Sequence, residues 1–177
     1  MTLREIIEAA LLQLGRGSDS ASVDKWKAKL TVFVNDAIRD IATAFPLIRT
    51  ESARIVGTTV DLSQLDRLCM KVVGVSQEGF PLNYSVNEAA GIVSVRGVGN
   101  VDVTYRYVPN VITALESSPE VPEQLHGLIV IYAVARERMS GDKATQSGAN
   151  IYLQMYETAK ARFISAFREG RTIENIY

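Results

Sequence analysis

The sequence predicts an α+β protein: a four-helix bundle, with two helices from each end of the chain, carrying a central antiparallel β-rich insert. Three observations predict it. Apolar residues recur at helical spacing near both ends. The middle switches to short β-branched runs with a period of two. Prolines and glycines mark where one pattern gives way to the other. The boundaries read as 1–46 for the N-terminal helices, 47–110 for the insert, 111–169 for the C-terminal helices and 170–177 for a tail.

Thr2 and Glu5 have the spacing of a capping box, a hydroxyl and a carboxylate for the free amides of a first turn. Leu3, Ile6, Ile7, Ala10, Leu11 and Leu14 then fall on one stripe, and Gly15 and Gly17 stop the helix. After a small polar loop, Ser20 or Ser22 is the expected cap of a second helix. Its stripe is Trp26, Leu30, Phe33, Val34, Ala37, Ile41 and Phe45, and Pro46 ends it.

Strands are expected at Ala53–Val56, Thr58–Leu62, Leu68–Val75, Pro81–Val86 and Ile92–Val95, with a turn at Gln77-Glu78-Gly79. The clearest alternation sets Val101, Val103, Tyr105 and Tyr107 against Asp102, Thr104 and Arg106. Short strands joined by close turns favour antiparallel pairing.

Pro109, Pro119 and Pro122 bracket an irregular connector. Pro122 suits a first helical turn, with Glu123 near its positive end. Leu125, Leu128, Ile129, Tyr132, Ala135 and Met139 form the third stripe, closed by Gly141. A last helix, starting between Asp142 and Ala149 and ending at Gly170, carries Ala149, Tyr152, Leu153, Tyr156, Ala159, Phe163 and Phe167. For its tyrosines, core packing with the hydroxyl at the edge is the default, and contact with a neighbouring subunit is the alternative.

Composition narrows the function. The chain has 177 residues, of which 47 % are hydrophobic, ample for a core. Nineteen basic residues face twenty acidic ones, so no overall charge favours nucleic acid or anionic lipid. No stretch approaches the roughly 20 apolar residues of a membrane span. The start, Met1-Thr2-Leu3-Arg4-Glu5, does not read as a signal peptide. Cys69 is the only cysteine and is expected as a buried thiol; a cytosolic origin fits.

No catalytic, cofactor or metal site is expected. His126 is the only histidine and reads as a surface or capping residue at a helix start. With one histidine and one cysteine, the usual zinc ligand sets cannot be assembled. Glu116, Glu120 and Glu123 cluster around the connector; a carboxylate pair could hydrolyse a glycosidic bond, but a solvated acidic loop explains them as well. Gly97-Val98-Gly99 precedes a strand, so it fails as a phosphate loop and reads as a hairpin or bulge. Lys25, Lys27 and Lys29 spread around their helix and make no nucleic-acid stripe. The loop between the first two helices is too long for the usual helix-turn-helix.

The tail is more informative. Arg162, Arg168 and Arg171 surround a helix end, where positive charge is favoured. Beyond Gly170, Ile173, Ile176 and Tyr177 are apolar. Both a frayed end and a docking peptide that orders on binding fit these residues.

Several segments together carry a family resemblance. They are the opening helix Leu3–Leu14; Trp26 and Phe33-Val34-Asn35-Asp36-Ala37, leading to Phe45-Pro46; Val103-Thr104-Tyr105-Arg106-Tyr107-Val108-Pro109; and Pro122-Glu123-Gln124-Leu125-His126-Gly127-Leu128-Ile129 with Tyr132-Ala133 and Gly141-Asp142. With the helix of Tyr152 and Tyr156, the layout resembles the head-to-tail adaptor (connector) proteins of tailed bacteriophages, especially the podovirus type beneath the portal. The resemblance implies a non-enzymatic virion component, assembled in the host cytoplasm into a dodecameric ring. It implies three partners: the portal protein, a tail-side nozzle or tail-tube protein, and other copies of itself. DNA would only pass through the channel, and no cofactor or membrane is involved. Portal contact then falls on Arg168, Arg171, Ile173, Ile176 and Tyr177. Another phage neck or tail-completion protein is the alternative, and a cell-wall hydrolase a more distant one.

Overall fold

The computed structural model describes residues 1–141 and 143–174, with side chains given except at 142–145, 147 and 168–177. The described chain is α+β. Its order is α1 (Leu3–Gln13), α2 (Ser20–Ala44), β1 (Ile48–Arg54), β2 (Thr59–Asp61), β3 (Cys69–Gln77), β4 (Phe80–Pro81), β5 (Tyr84–Asn87), β6 (Ile92–Val95), β7 (Asn100–Tyr107), α3 (His126–Met139) and α4 (Lys143–Glu174). Two compact units result: Met1–Phe45 with Val111–Tyr177, and Pro46–Asn110.

In the helical unit the capping box forms as expected. Thr2 N donates to Glu5 Oε2 at 2.9 Å, and Glu5 N donates to Thr2 Oγ1 at 3.3 Å. The next two amides, which no capping side chain reaches, are satisfied by the connector: Leu3 N donates to Ser117 O and Arg4 N to Leu115 O. Gly15, at φ +69°, lets the chain turn out of α1.

The cap of α2 is Asp19, not Ser20 or Ser22; its carboxylate accepts from Ser22 N at 3.1 Å. Leu30, Val34, Ala37 and Ile41 are buried as expected, while Trp26 is only half-buried. With Leu3, Ile6, Ile7, Leu11, Leu128, Ile129 and Val134 they make one interior. Asn35 is buried beside them: its side chain accepts from Ile112 N and donates to Ile112 O, both at 2.9 Å.

The third helix begins later than Pro122 suggests, after a 3-10 turn at Glu123–Leu125. His126 is not at the surface. Only 3 % of it is exposed; its Nε2–H donates to the Val121 carbonyl at 3.0 Å and its Nδ1 accepts from the Met1 amine at 2.9 Å. Burial, the larger cause, and the nearby ammonium hold its pKa below the ordinary value. The last helix does not stop at Gly170 but runs to Glu174. A glycine inside a helix costs only about 1 kcal/mol against alanine, too little to end one alone.

In the sheet unit, β1-β7-β3-β4 form one antiparallel sheet and β2-β6-β5 another. β1 starts at Ile48, ahead of the expected Ala53, and pairs with β7 from Ile48↔Arg106 to Arg54↔Asn100. The second expected strand shortens to Thr59–Asp61, because Leu62 opens a 3-10 turn. Alternation in β7 is as read: Val101, Val103 and Tyr105 are buried. They join Ala53, Val72 and Val75 of their own sheet and Val60, Val93 and Val95 of the other in one cluster. Cys69 is half-buried at its margin. The β3–β4 hairpin turns through Glu78 (φ 52°) and Gly79 (φ 83°), the two positive angles of a two-residue hairpin.

Candidate assembly surface

Helix α4 meets the rest of its unit through side chains of several kinds. Tyr156 is fully buried; its hydroxyl donates a hydrogen bond to Asp40 on α2, which also receives Lys160 Nζ at 2.7 Å. Burial opposes the Asp40 charge, but the bonds from Lys160 and Tyr156 outweigh it and hold the carboxyl below its ordinary range. The same burial, with the carboxylate beside it, pushes the Tyr156 phenol up. Tyr132 meets the Tyr156 ring edge-on at 5.1 Å, and Phe45 packs against Phe167 at 4.3 Å. The Arg138 guanidinium lies 5.0 Å from the Tyr152 ring.

Away from these contacts α4 shows a second apolar stripe. Ile151, Met155 and Phe163 are exposed, flanked by Thr158, Ala159 and Arg162 along shallow hollows. Phe163, on the core stripe seven residues beyond buried Tyr156, borders both Phe45 and Phe167 inside and the hollow of Ala159 and Arg162 outside; Ile151 and Met155 carry the outward face. Their spacing of four is a helical signal, readable as a face of its own.

A charged knot joins α1's end, α2 and α3. Glu137 is buried on α3 and pairs with Arg16 at 3.0 Å and Lys29 at 2.7 Å. Arg16 also stacks 3.7 Å above Trp26. Lys29 therefore serves this knot. In the sheet unit Tyr105 donates to Glu51 at 2.8 Å, and burial together with that carboxylate pushes the phenol up to about 12.

The acids of the connector are not gathered into a reactive pair by any described contact. Glu116 is exposed and pairs with Arg4 at 3.5 Å; Glu120 is half-buried and Glu123 exposed. Among the described residues no group of three or more His, Cys, Asp or Glu could hold a metal, and no helix is long and apolar enough to cross a membrane. Of the residues expected to meet a portal, Arg168, Arg171 and Ile173 have their backbone on α4, and their side chains lie outside the described ones. Ile176 and Tyr177 lie outside the described residues altogether.

The family model described as SU10 adaptor protein matches residues 1–173, spanning every described strand and nearly all of the four helices. The chain belongs to the SU10 adaptor protein family. This is a phage head-to-tail adaptor family, so the adaptor is a virion component that works with portal and tail parts. The match covers all of Pro46–Asn110 and the helical unit up to residue 173; Ile176 and Tyr177 fall beyond it. No curated protein matches the chain.

Proposed function

We propose that this adaptor forms a dodecameric ring beneath the portal, extends the DNA channel and provides the platform to which the tail attaches. Family membership over 1–173 is the observation that carries the reading. In it, the helices of 1–46 and 111–169 build one bundle per subunit, and the insert of 47–110 faces the tail-side protein or the adjacent copy. The role is structural and needs no reactive centre. A heterologous contact repeated about an axis closes a ring, and the apolar stripe of Ile151, Met155 and Phe163 supports such a contact on α4. The near balance of charge suits a channel that lets DNA pass without gripping it.

Segment 170–177 contacts the portal in this proposal through Arg171, Ile173, Ile176 and Tyr177, with Arg168 just ahead of it as a further contact. The test is light scattering of the purified adaptor with and without portal protein, repeated with the chain ended after Gly170. The shortened chain is expected to fold and to leave portal particles bare; attachment at the normal level would refute the tail assignment. Met155→Asp is expected to leave a folded monomer that no longer forms rings on the portal, as seen by electron microscopy. Rings of normal size would remove α4 from the contact.

A further inference from the structure

In the helical unit α2 and α3 pack together, α1 packs on both, and α4 packs on α3 and reaches α2 through Tyr156 and Lys160. Among the described residues α1 and α4 make no comparable contact with each other, so they flank the α2–α3 pair from opposite sides. Each turns a mixed face outward. On α1 it is Glu5, Glu8, Ala9 and Leu12, with Leu12 63 % exposed. On α4 it is Ile151, Met155, Thr158 and Arg162, with Ile151 60 % and Met155 50 % exposed. Both sets follow the three-and-four spacing of a single helical face. The two faces also stand at matching heights. α1 runs parallel to α3, since the Met1 amine meets His126 at 2.9 Å and Arg16 meets Glu137 at 3.0 Å. α4 runs antiparallel to α3, since Tyr156 meets Tyr132 at 5.1 Å and Tyr152 meets Arg138 at 5.0 Å. Counted along α3 from these contacts at about 1.5 Å per residue, Leu12 is level with residues 151–155, and Glu5 and Glu8 are level with residues 155–162.

We infer that α1 of one copy covers the α4 stripe of the next, with Leu12 seated between Ile151 and Met155 and Glu8 paired with Arg162. The inference rests on the reading of α4 as a contact between copies, and it names the surface that α4 meets. Three features select that occupant. Placement is the first: a head-to-tail contact needs two different faces on opposite sides of the subunit, and α1 and α4 supply them. Height is the second. Rotation about an axis along the helices leaves every residue at its own level, so it brings Leu12 of one copy opposite Ile151 and Met155 of its neighbour. Charge is the third. Neither Glu8 nor Arg162 makes an ion pair with another described residue, and the rotation sets them against each other. A two-fold contact of α4 with α4 would leave Leu12 uncovered and would close as a pair, not as a ring.

The test uses the whole chain, with Cys69→Ala as the common background for cross-linking. Leu12→Cys and Met155→Cys chains, mixed at millimolar concentration and oxidised, are expected to give the mixed disulfide in at least fivefold excess over either chain's disulfide with itself. Met155→Cys pairing with itself as readily would assign the stripe to a two-fold contact and overturn the inference. On portal particles viewed by electron microscopy, Glu8→Arg and Arg162→Glu are each expected to lower the number of bound copies at least threefold with an unchanged melting temperature. Both changes in one chain are expected to restore that number, because each copy again meets its neighbour with opposite charges. Full occupancy by both single variants, or a double variant no better than either, would overturn the inference. The ring and the contact fail separately. The mixed disulfide without rings on the portal would support the α1–α4 contact and refute the ring; complete rings whose Leu12→Cys and Met155→Cys chains do not cross-link would keep the ring and overturn the contact.

Discussion

Glu137 is a carboxylate at 5 % exposure whose two cations, Arg16 and Lys29, remain 32 % and 42 % exposed. Removing the acid leaves cations that can turn to water. Removing both cations strands a buried charge. Glu137→Ala is therefore expected to cost about 2 kcal/mol, less than the 3–5 kcal/mol typical of breaking a fully buried pair. Arg16→Ala with Lys29→Ala is expected to cost more than Glu137→Ala, as read by urea unfolding; the reverse order would refute the knot. His126 sets a pH dependence. Its folded pKa is depressed below the ordinary 6.5, so the unfolded chain takes up the proton first. Its contribution is fully present above that value and is lost as pH falls through it. Unfolding curves between pH 7.5 and 5.5 should show a decline that His126→Gln flattens. At Glu78 the backbone is left-handed, a conformation that asparagine tolerates better than glutamate. Glu78→Asn is expected to raise stability by about 1 kcal/mol.

Among the elements, α4 is held to α2 by Asp40, Tyr156 and Lys160. Tyr156→Phe keeps the ring and deletes the donor to a carboxylate, a bond worth about 1.5–3 kcal/mol. Unfolding should begin earlier by that amount, and the Asp40 carboxyl should titrate closer to its ordinary range. Elements whose signals are local were legible in the sequence. Thr2 and Glu5 announce α1, Pro46 closes α2, and the alternation through Tyr105 marks β7. Elements decided by distant partners were not. β1 carries Arg49, Thr50, Glu51 and Ser52, which hold no apolar alternation of their own; β7 set beside them makes the strand, and Thr50 Oγ1 meets Thr104 Oγ1 at 2.9 Å. His126 is met by Met1 and Glu137 by Arg16, each more than a hundred positions away. The candidate surface was half visible: the apolar spacing of Ile151 and Met155 is in the sequence, but which of α4's two stripes faces inward is settled by Asp40.

For the molecule as a whole, each unit has a core of its own. Residues 46–110 expressed alone are expected to keep a β-type circular dichroism spectrum and to melt below the full chain, since so small a domain buries a smaller share of its surface. A structureless fragment would show that this core needs outside support. The order of the chain also imposes a timetable. Helices α1 and α2 leave the ribosome first, yet Leu30, Val34 and Ile41 share their interior with Leu128, Ile129 and Val134 of α3, which follow only after all of Pro46–Asn110. At about 5–20 residues per second, translation of the intervening stretch takes about 3–13 seconds. Nascent chains arrested with Asn110 just outside the exit tunnel should resist protease within 46–110 while still being cut within Ser20–Ala44; the birth order of the polypeptide makes its middle mature before its two ends.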